Sequence, residues 1–292
     1  MDADGWLASG KRVQIQLRSG TWDVFVRAAG SGPWLTLLHG FPTSSWDWAR
    51  VARILEPSFR VLTFDFLGLG NSDKPRVHEY SIGEQADLTE ALWRRLGIEE
   101  TGLVGHDYGA TVAQELLARK EEGALAARLT GVVLLNAGLY VELARPLLIQ
   151  RLLAVPLAGR LFAHLVTERA FSRSLSSVFS SGLQPTAADL HEHWRLVRRR
   201  GGVTVTPKLL RYMDERRANA ARWEGALERA AVPLRLVWGM ADPRSGAHIA
   251  EHARQRIPGL GIVALEDVGH YPQLEVPDDV ATAIEASPVP SR

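Results

Sequence analysis

The chain has no cysteine, which excludes disulfide scaffolds, thiolate metal sites and cysteine nucleophiles. It also lacks an excess of either charge: 34 Lys and Arg stand against 33 Asp and Glu, a net of +1. That balance exerts no general pull on nucleic acid. No long apolar run goes uninterrupted. The most apolar stretch, Leu147–Val166, is broken by Arg151, Pro156, Arg160 and His164, which suits two amphipathic helices better than a membrane span. Met1-Asp2-Ala3-Asp4-Gly5 has neither the basic start nor the apolar core of a signal peptide. The expectation is a cytoplasmic protein that binds neither nucleic acid nor membrane. Its 292 residues, 46% apolar and 23% charged, allow two domains or one large domain with an insertion. No internal repeat and no low-complexity segment is visible.

Short apolar runs alternate with helical patterns. Val13–Leu17 and Trp22–Val26 read as a β pair turning at Gly20, and Trp34–Leu38, Val61–Phe64, Gly102–Gly105 and Val132–Leu135 as further strands. A helix is predicted from Ile82 to Leu96, with Ser81 and Glu84 in capping-box spacing, and another over Gly109–Lys120. From about residue 139 to 230 the strand rhythm stops and the pattern is helical; strands resume at Leu234–Trp238 and Gly261–Leu265. Alternating strands and helices predict a mostly parallel sheet covered on both faces. The helical block predicts a cap domain, 139–230, inserted into a core of residues 1–138 and 231–292. It would lie over the carboxyl edge of the sheet, where such sheets bind ligands. The cap carries a net charge of about +7. A basic cap can attract an anionic substrate, but Arg198-Arg199-Arg200 and Arg216-Arg217 sit in polar sequence and read as solvated faces.

The chemistry concentrates at Gly105-His106-Asp107-Tyr108-Gly109, between a predicted strand and a predicted helix. This is the context of a nucleophile elbow, whose tight turn needs small residues two before and two after the exposed side chain. The central residue is Asp107 rather than serine. Asp242 follows a late strand and His270 the last one, so nucleophile, acid and histidine come in that order. His39-Gly40-Phe41-Pro42 follows another strand. Its Phe41 N–H and that of Tyr108 are candidates for an oxyanion hole. Each segment alone also reads as an ordinary turn; their joint placement at strand ends favours catalysis. Other motifs carry less. In His191-Glu192-His193 the histidines point apart on a helix, so no metal is expected, and Gly68-Leu69-Gly70 lacks the remainder of a dinucleotide fingerprint. No cofactor is expected.

His39–Trp48, Asp65–Pro75, the Gly-His-Asp-Tyr-Gly elbow and Gly269–Glu275 resemble the α/β-hydrolase branch that contains epoxide hydrolases and haloalkane dehalogenases. The Asp-Tyr elbow, Val112–Leu117, Arg145–Leu148 and His270–Glu275 most resemble the mesoderm-specific transcript protein subgroup. The resemblance covers roughly residues 20–280 and implies an α/β-hydrolase fold, with a mostly parallel sheet of about eight strands and an inserted helical cap.

An aspartate side chain, with a reference pKa of about 4, needs no base to become a nucleophile at neutral pH. It can displace a leaving group from saturated carbon and form an alkyl ester. His270 would then activate water, with Asp242 orienting the imidazole. The expected substrate is small, organic, and apolar or amphipathic, with water as co-substrate. The resemblance implies two rival leaving groups. Haloalkane dehalogenases usually place Trp after the nucleophile, where this chain has Tyr108, and often Asn where it has Phe41, a side chain with no donor. Epoxide hydrolases usually supply two cap tyrosines; here Tyr212 lies near the second position and Tyr140 only at the cap entrance. The reading is therefore an epoxide hydrolase with Asp107, Asp242, His270 and Tyr212 as catalytic residues, and Trp46, His106 and Tyr140 at the substrate. Dehalogenation, ester hydrolysis and a non-catalytic ligand-binding role are the alternatives. Oligomeric state is not legible.

Overall fold

A computed structural model of the chain describes residues 1–143, 145, 166–287 and 289. The strands follow the apolar runs. Among the described residues these are β1 (Lys11–Leu17), β2 (Gly20–Ala29), β3 (Trp34–Leu38), β4 (Arg60–Phe64), β5 (Glu100–His106), β6 (Arg128–Leu135), β7 (Leu234–Gly239) and β8 (Gly261–Leu265). They form one sheet in the order β1-β2-β4-β3-β5-β6-β7-β8. β1 and β2 make an antiparallel hairpin and β2 runs antiparallel to β4; the other pairings are parallel.

Side-chain alternation explains why the central strands are apolar almost throughout. Val132 and Leu134 of β6, with Leu236 and Trp238 of β7, enter a core on one face. Val133 and Leu135, with Val237, enter a second core on the other. Strand side chains alternate with a period of two, so a sheet covered on both faces needs apolar residues at every position. Helices Ile82–Leu96 and Tyr108–Glu121 cover the first face; Ala49–Leu55 and Pro277–Glu285 cover the second. A short helix that the apolar pattern did not announce, Ala3–Ala8, buries Trp6 in the second core and joins Trp6 Nε1 to Ser45 Oγ at 3.1 Å.

Helix Ile82–Leu96 starts as predicted, with the Ser81 hydroxyl accepting the Glu84 N–H at 3.1 Å, and ends at Gly97 with φ 66°. Only half of the capping box forms. The Glu84 carboxylate turns instead to His78 and Ser19, and the Ile82 N–H is taken by Glu215 at 2.9 Å.

Between β6 and β7 the described residues contain helices Glu168–Ser176, Ala187–Arg198, Gly202–Leu209, Tyr212–Ala218 and Ala220–Glu228, and no strand. Glu215 ties this segment to the core, as do Trp223 Nε1 to Glu115 Oε2 at 2.7 Å and Arg222 Nε to Glu122 Oε1 at 2.7 Å. The helices expected in Leu147–Val166 lie outside the described residues, apart from Val166 itself. Among the described residues no helix is long and apolar enough to cross a membrane.

Ser81→Ala removes the cap of a 15-residue helix; it is expected to lower stability by about 1 kcal/mol, read as a lower midpoint in urea denaturation with an unchanged slope.

Candidate active site

Parallel strands deliver their carboxyl ends to one edge, and the site is assembled there from the loops that follow β3, β5, β6, β7 and β8. After β5 the backbone turns sharply into helix Tyr108–Glu121. Asp107 stands at the turn with φ 48° and ψ −109°, a left-handed conformation rare outside glycine. The flanking glycines make the turn possible. A Cβ on Gly105 would lie 2.8 Å from the Gly109 carbonyl oxygen, and one on Gly109 would lie 2.6 Å from the Leu38 carbonyl carbon. The side chain is thereby raised above the sheet, where Oδ2 accepts the Phe41 N–H at 3.0 Å. The Tyr108 N–H is the first of its helix and has no intrahelical acceptor.

His270, after β8, faces the same carboxylate, with Nε2 4.0 Å from Asp107 Oδ1. That distance is too long for a hydrogen bond and leaves Oδ1 free. On its other side His270 Nδ1 is 2.7 Å from Asp242 Oδ2. Asp242 is buried but fully engaged: it accepts from Ser245 Oγ at 2.6 Å, Asn136 Nδ2 at 3.0 Å and the Arg244 N–H at 2.7 Å. Burial opposes its ionisation, but His270 and these donors hold its carboxyl well below the usual carboxylate range. Burial likewise opposes charge on His270, yet the Asp242 carboxylate, with Asp107 further off, raises the imidazole above its usual range.

A cavity of about 120 Å³ opens over these groups, lined by Asp107, His270, Phe41, Tyr212, Arg216 and the apolar side chains of Phe171, Leu175 and Val178, among others. Tyr212 opens its helix with its ring centroid 5.1 Å from that of Tyr108 and 6.2 Å from that of Phe41. Burial first, and the Asp107 charge second, raise its phenol, so the hydroxyl keeps its proton.

Three expected substrate residues do not line this cavity. Tyr140 is buried with its ring 4.5 Å from that of His252, and its hydroxyl has no partner among the described residues. Trp46 packs on His193 at 4.7 Å beneath the Ala187–Arg198 helix. His106 is fully buried behind the site: Gln273 Nε2 donates to its Nδ1 at 3.1 Å, and its Nε2 donates to the His270 carbonyl at 2.8 Å. Burial, and then the neighbouring His270, keep His106 neutral. Its place is to fix the His270 backbone. The His191-Glu192-His193 expectation also divides: His191 is exposed and pairs with Glu168, whereas His193 is buried and lowered to about 4 by that burial.

Asn136, Ser245, Glu275 and Arg216 were not singled out as site residues. Asn136 follows β6 and clips Gly239, donating to its carbonyl at 2.8 Å and accepting its N–H at 2.7 Å. The Glu275 carboxylate gathers the N–H groups of Gly269, Tyr271 and Ser180 around His270. Position at a strand end would have pointed to Asn136. Arg216, read as solvated, is 9% exposed and lines the cavity. It lies four residues after Tyr212 on one short helix, and that spacing places both on one face.

Residues 33–277 match the family described as alpha/beta hydrolase fold. A mesoderm-specific transcript homolog protein of Bos taurus is 40% identical over 284 residues, spanning 93% of this chain and 83% of its own. A Mycobacterium tuberculosis protein, LipZ, a hydrolase by name, is 38% identical over 261 residues, spanning 89% and 90%. The solved structure of the epoxide hydrolase CorEH superimposes with a TM-score of 0.76 at 22% identity, covering 94% of this chain and 98% of that one. A likeness at that identity shows the fold and does not separate epoxide opening from dehalogenation or ester hydrolysis.

Asn136→Ala would strand the Gly239 N–H in the core, deprive the Gly239 carbonyl of its shorter hydrogen bond and remove one of the donors to Asp242 Oδ2. It is expected to cost about 3 kcal/mol, measured by urea denaturation at neutral pH.

Proposed function

From the premise that this chain belongs to the α/β-hydrolase-fold family, which supports a hydrolase, we propose that it opens epoxides to vicinal diols through an ester on Asp107. In this reading residues 1–138 and 231–292 form the catalytic core and 139–230 the cap domain. The observation that carries it is the carboxylate at the elbow. One oxygen is held by the Phe41 N–H at 3.0 Å and the other faces His270 at 4.0 Å, in a cavity shared with Tyr212.

The chemistry follows from those positions. Oδ1 attacks a ring carbon, the C–O bond breaks, and the ring oxygen takes the Tyr212 proton as it leaves. The product is a hydroxyalkyl ester whose carbonyl oxygen is Oδ2, already on the Phe41 N–H. Esterification removes the Asp107 charge, one of the influences raising His270, so in the intermediate the imidazole gives up its proton more readily, through solvent to the Tyr212 phenolate. Neutral His270 then takes a proton from water, and the hydroxide adds to the ester carbon. Negative charge gathers on Oδ2 between the Phe41 and Tyr108 N–H groups, a contact worth about 3 kcal/mol per donor. Collapse releases the diol and the Asp107 carboxylate and leaves His270 protonated and Tyr212 as the phenol, as in the resting site. Phe41 offers no side-chain donor to a halide, which counts against dehalogenation. With Tyr140 outside the cavity, Tyr212 is the single tyrosine acid in this scheme.

His270→Gln is expected to stall turnover with the epoxide attached, read as a protein-mass increase equal to the epoxide and located on Asp107 by peptide mapping. Asp107→Asn should give no adduct, and Tyr212→Phe should form it at least about 100-fold more slowly. Activity without any adduct in His270→Gln would refute the scheme. The two half-reactions should also differ in pH dependence. Ester hydrolysis needs neutral His270 and should speed up as pH rises. Ester formation needs protonated Tyr212 and should stay flat between about pH 6 and pH 9, both followed by rapid quenching and intact mass.

A further inference from the structure

We infer that the cavity takes its substrate by a carboxylate seated on Arg216, so that the substrate is a short epoxy carboxylic acid; the acid part is new, and the epoxide part rests on the function proposed above. Arg216 is buried, lines the cavity with Asp107 and His270, and among the described residues forms no ion pair. Its Nη2 has no hydrogen-bond partner there. Residues 146–165, outside the described part, contain no Asp or Glu, so no acidic side chain in that segment is available to neutralise it. Glu224, on the next helix, adds favourable charge from a distance, but its hydrogen bond goes to the Val141 N–H at 2.9 Å and it forms no ion pair with Arg216.

A buried cation with no ion pair is unfavourable, yet glycine at position 138 leaves room for this one. A Cβ on Gly138 would lie 2.9 Å from both Nη1 and Nη2, so a larger residue there would make the guanidinium shift. A planar fork in a partly apolar cavity matches a carboxylate through two parallel hydrogen bonds. Asp107 adds favourable charge to Arg216 from a distance but forms no ion pair with it; its Oδ2 is on the Phe41 N–H. Once Asp107 is esterified its charge is gone, and a substrate anion would restore the balance at Arg216. Arg244, whose Nε is also buried without a partner among the described residues, and Arg145 line the same cavity, whose other charged lining groups are Asp107 and His270. The surplus of cations draws an anion in. Tyr212 and Arg216 sit one helical turn apart, with Cβ atoms in such a pair about 5–6 Å from each other. Both line the one small cavity, which suits an epoxide and a carboxylate carried on one short substrate.

The test is calorimetric titration of the full chain with straight-chain carboxylates from propanoate to octanoate and with the matching primary amides. At least one carboxylate should bind about tenfold or more tightly than its amide. Arg216→Gln should abolish that preference while changing amide affinity by less than about twofold. Gly138→Val, which displaces the guanidinium without deleting it, should do the same. Thermal melts identify a variant that fails to fold; wild-type selectivity then decides. No carboxylate preference in the wild type, or a preference retained in a folded Arg216→Gln, overturns the inference. Arg216→Gln slowing neutral epoxides and epoxy acids alike would also overturn it, placing Arg216 at the leaving oxygen. Because binding needs no turnover, the two readings fail separately. Carboxylate preference without an Asp107 adduct would sink the epoxide reaction alone, and adducts from neutral epoxides without carboxylate preference would sink the anchor alone.

Discussion

The close approach of backbone on both sides of Asp107 is the constraint on which the site depends. An aspartate held at φ 48° is strained, and the surrounding packing maintains it: Gly109 lies against the end of β3, Gly105 against the first turn of the following helix. The same contacts set the Asp107 side chain above the sheet and bring its carboxylate to the Phe41 N–H. The elbow geometry and the proposed oxyanion hole are thus one packing arrangement, and neither exists without the other.

Charge is the second organising influence. Asp242 remains ionised in the interior because three donors and His270 converge on it, and it in turn favours charge on His270. Each of these groups is balanced inside the constellation. Arg216 has no ion pair among the described residues, and it faces the cavity rather than lying behind it. A cavity that holds more cations than anions where substrate enters would gain its balance from the substrate, which joins the proposed chemistry to the proposed selectivity.

The helices between β6 and β7 contribute more than cover. Tyr212 and Arg216 reach the cavity from this segment. Val178 accepts the His270 N–H at 2.9 Å, and the Ser180 N–H joins the Glu275 carboxylate that shapes the His270 loop. The position of the imidazole therefore depends on contacts between two parts of the chain far apart in sequence.

The strand sequence, the elbow and the order of Asp107, Asp242 and His270 were legible because their signals are local: a buried strand must be apolar at nearly every position, and a tight turn admits only small neighbours. The Glu84 half of the capping box failed because His78 and Ser19 competed for that carboxylate. Tyr140, Trp46 and His106 were placed near substrate by proximity to motifs, but the direction of a side chain is set by packing, and all three turned into the protein. Arg216 was hidden for the converse reason, since an Arg-Arg pair in polar sequence looks solvated while the helix turns one member inward and the other out. What the sequence by itself determined was the sheet, the turn and the carboxylate placed at it. Which side chains surround that group, and with what net charge, was decided only when helices remote in sequence packed against it, because burial is a property of the assembled surfaces and not of any one segment.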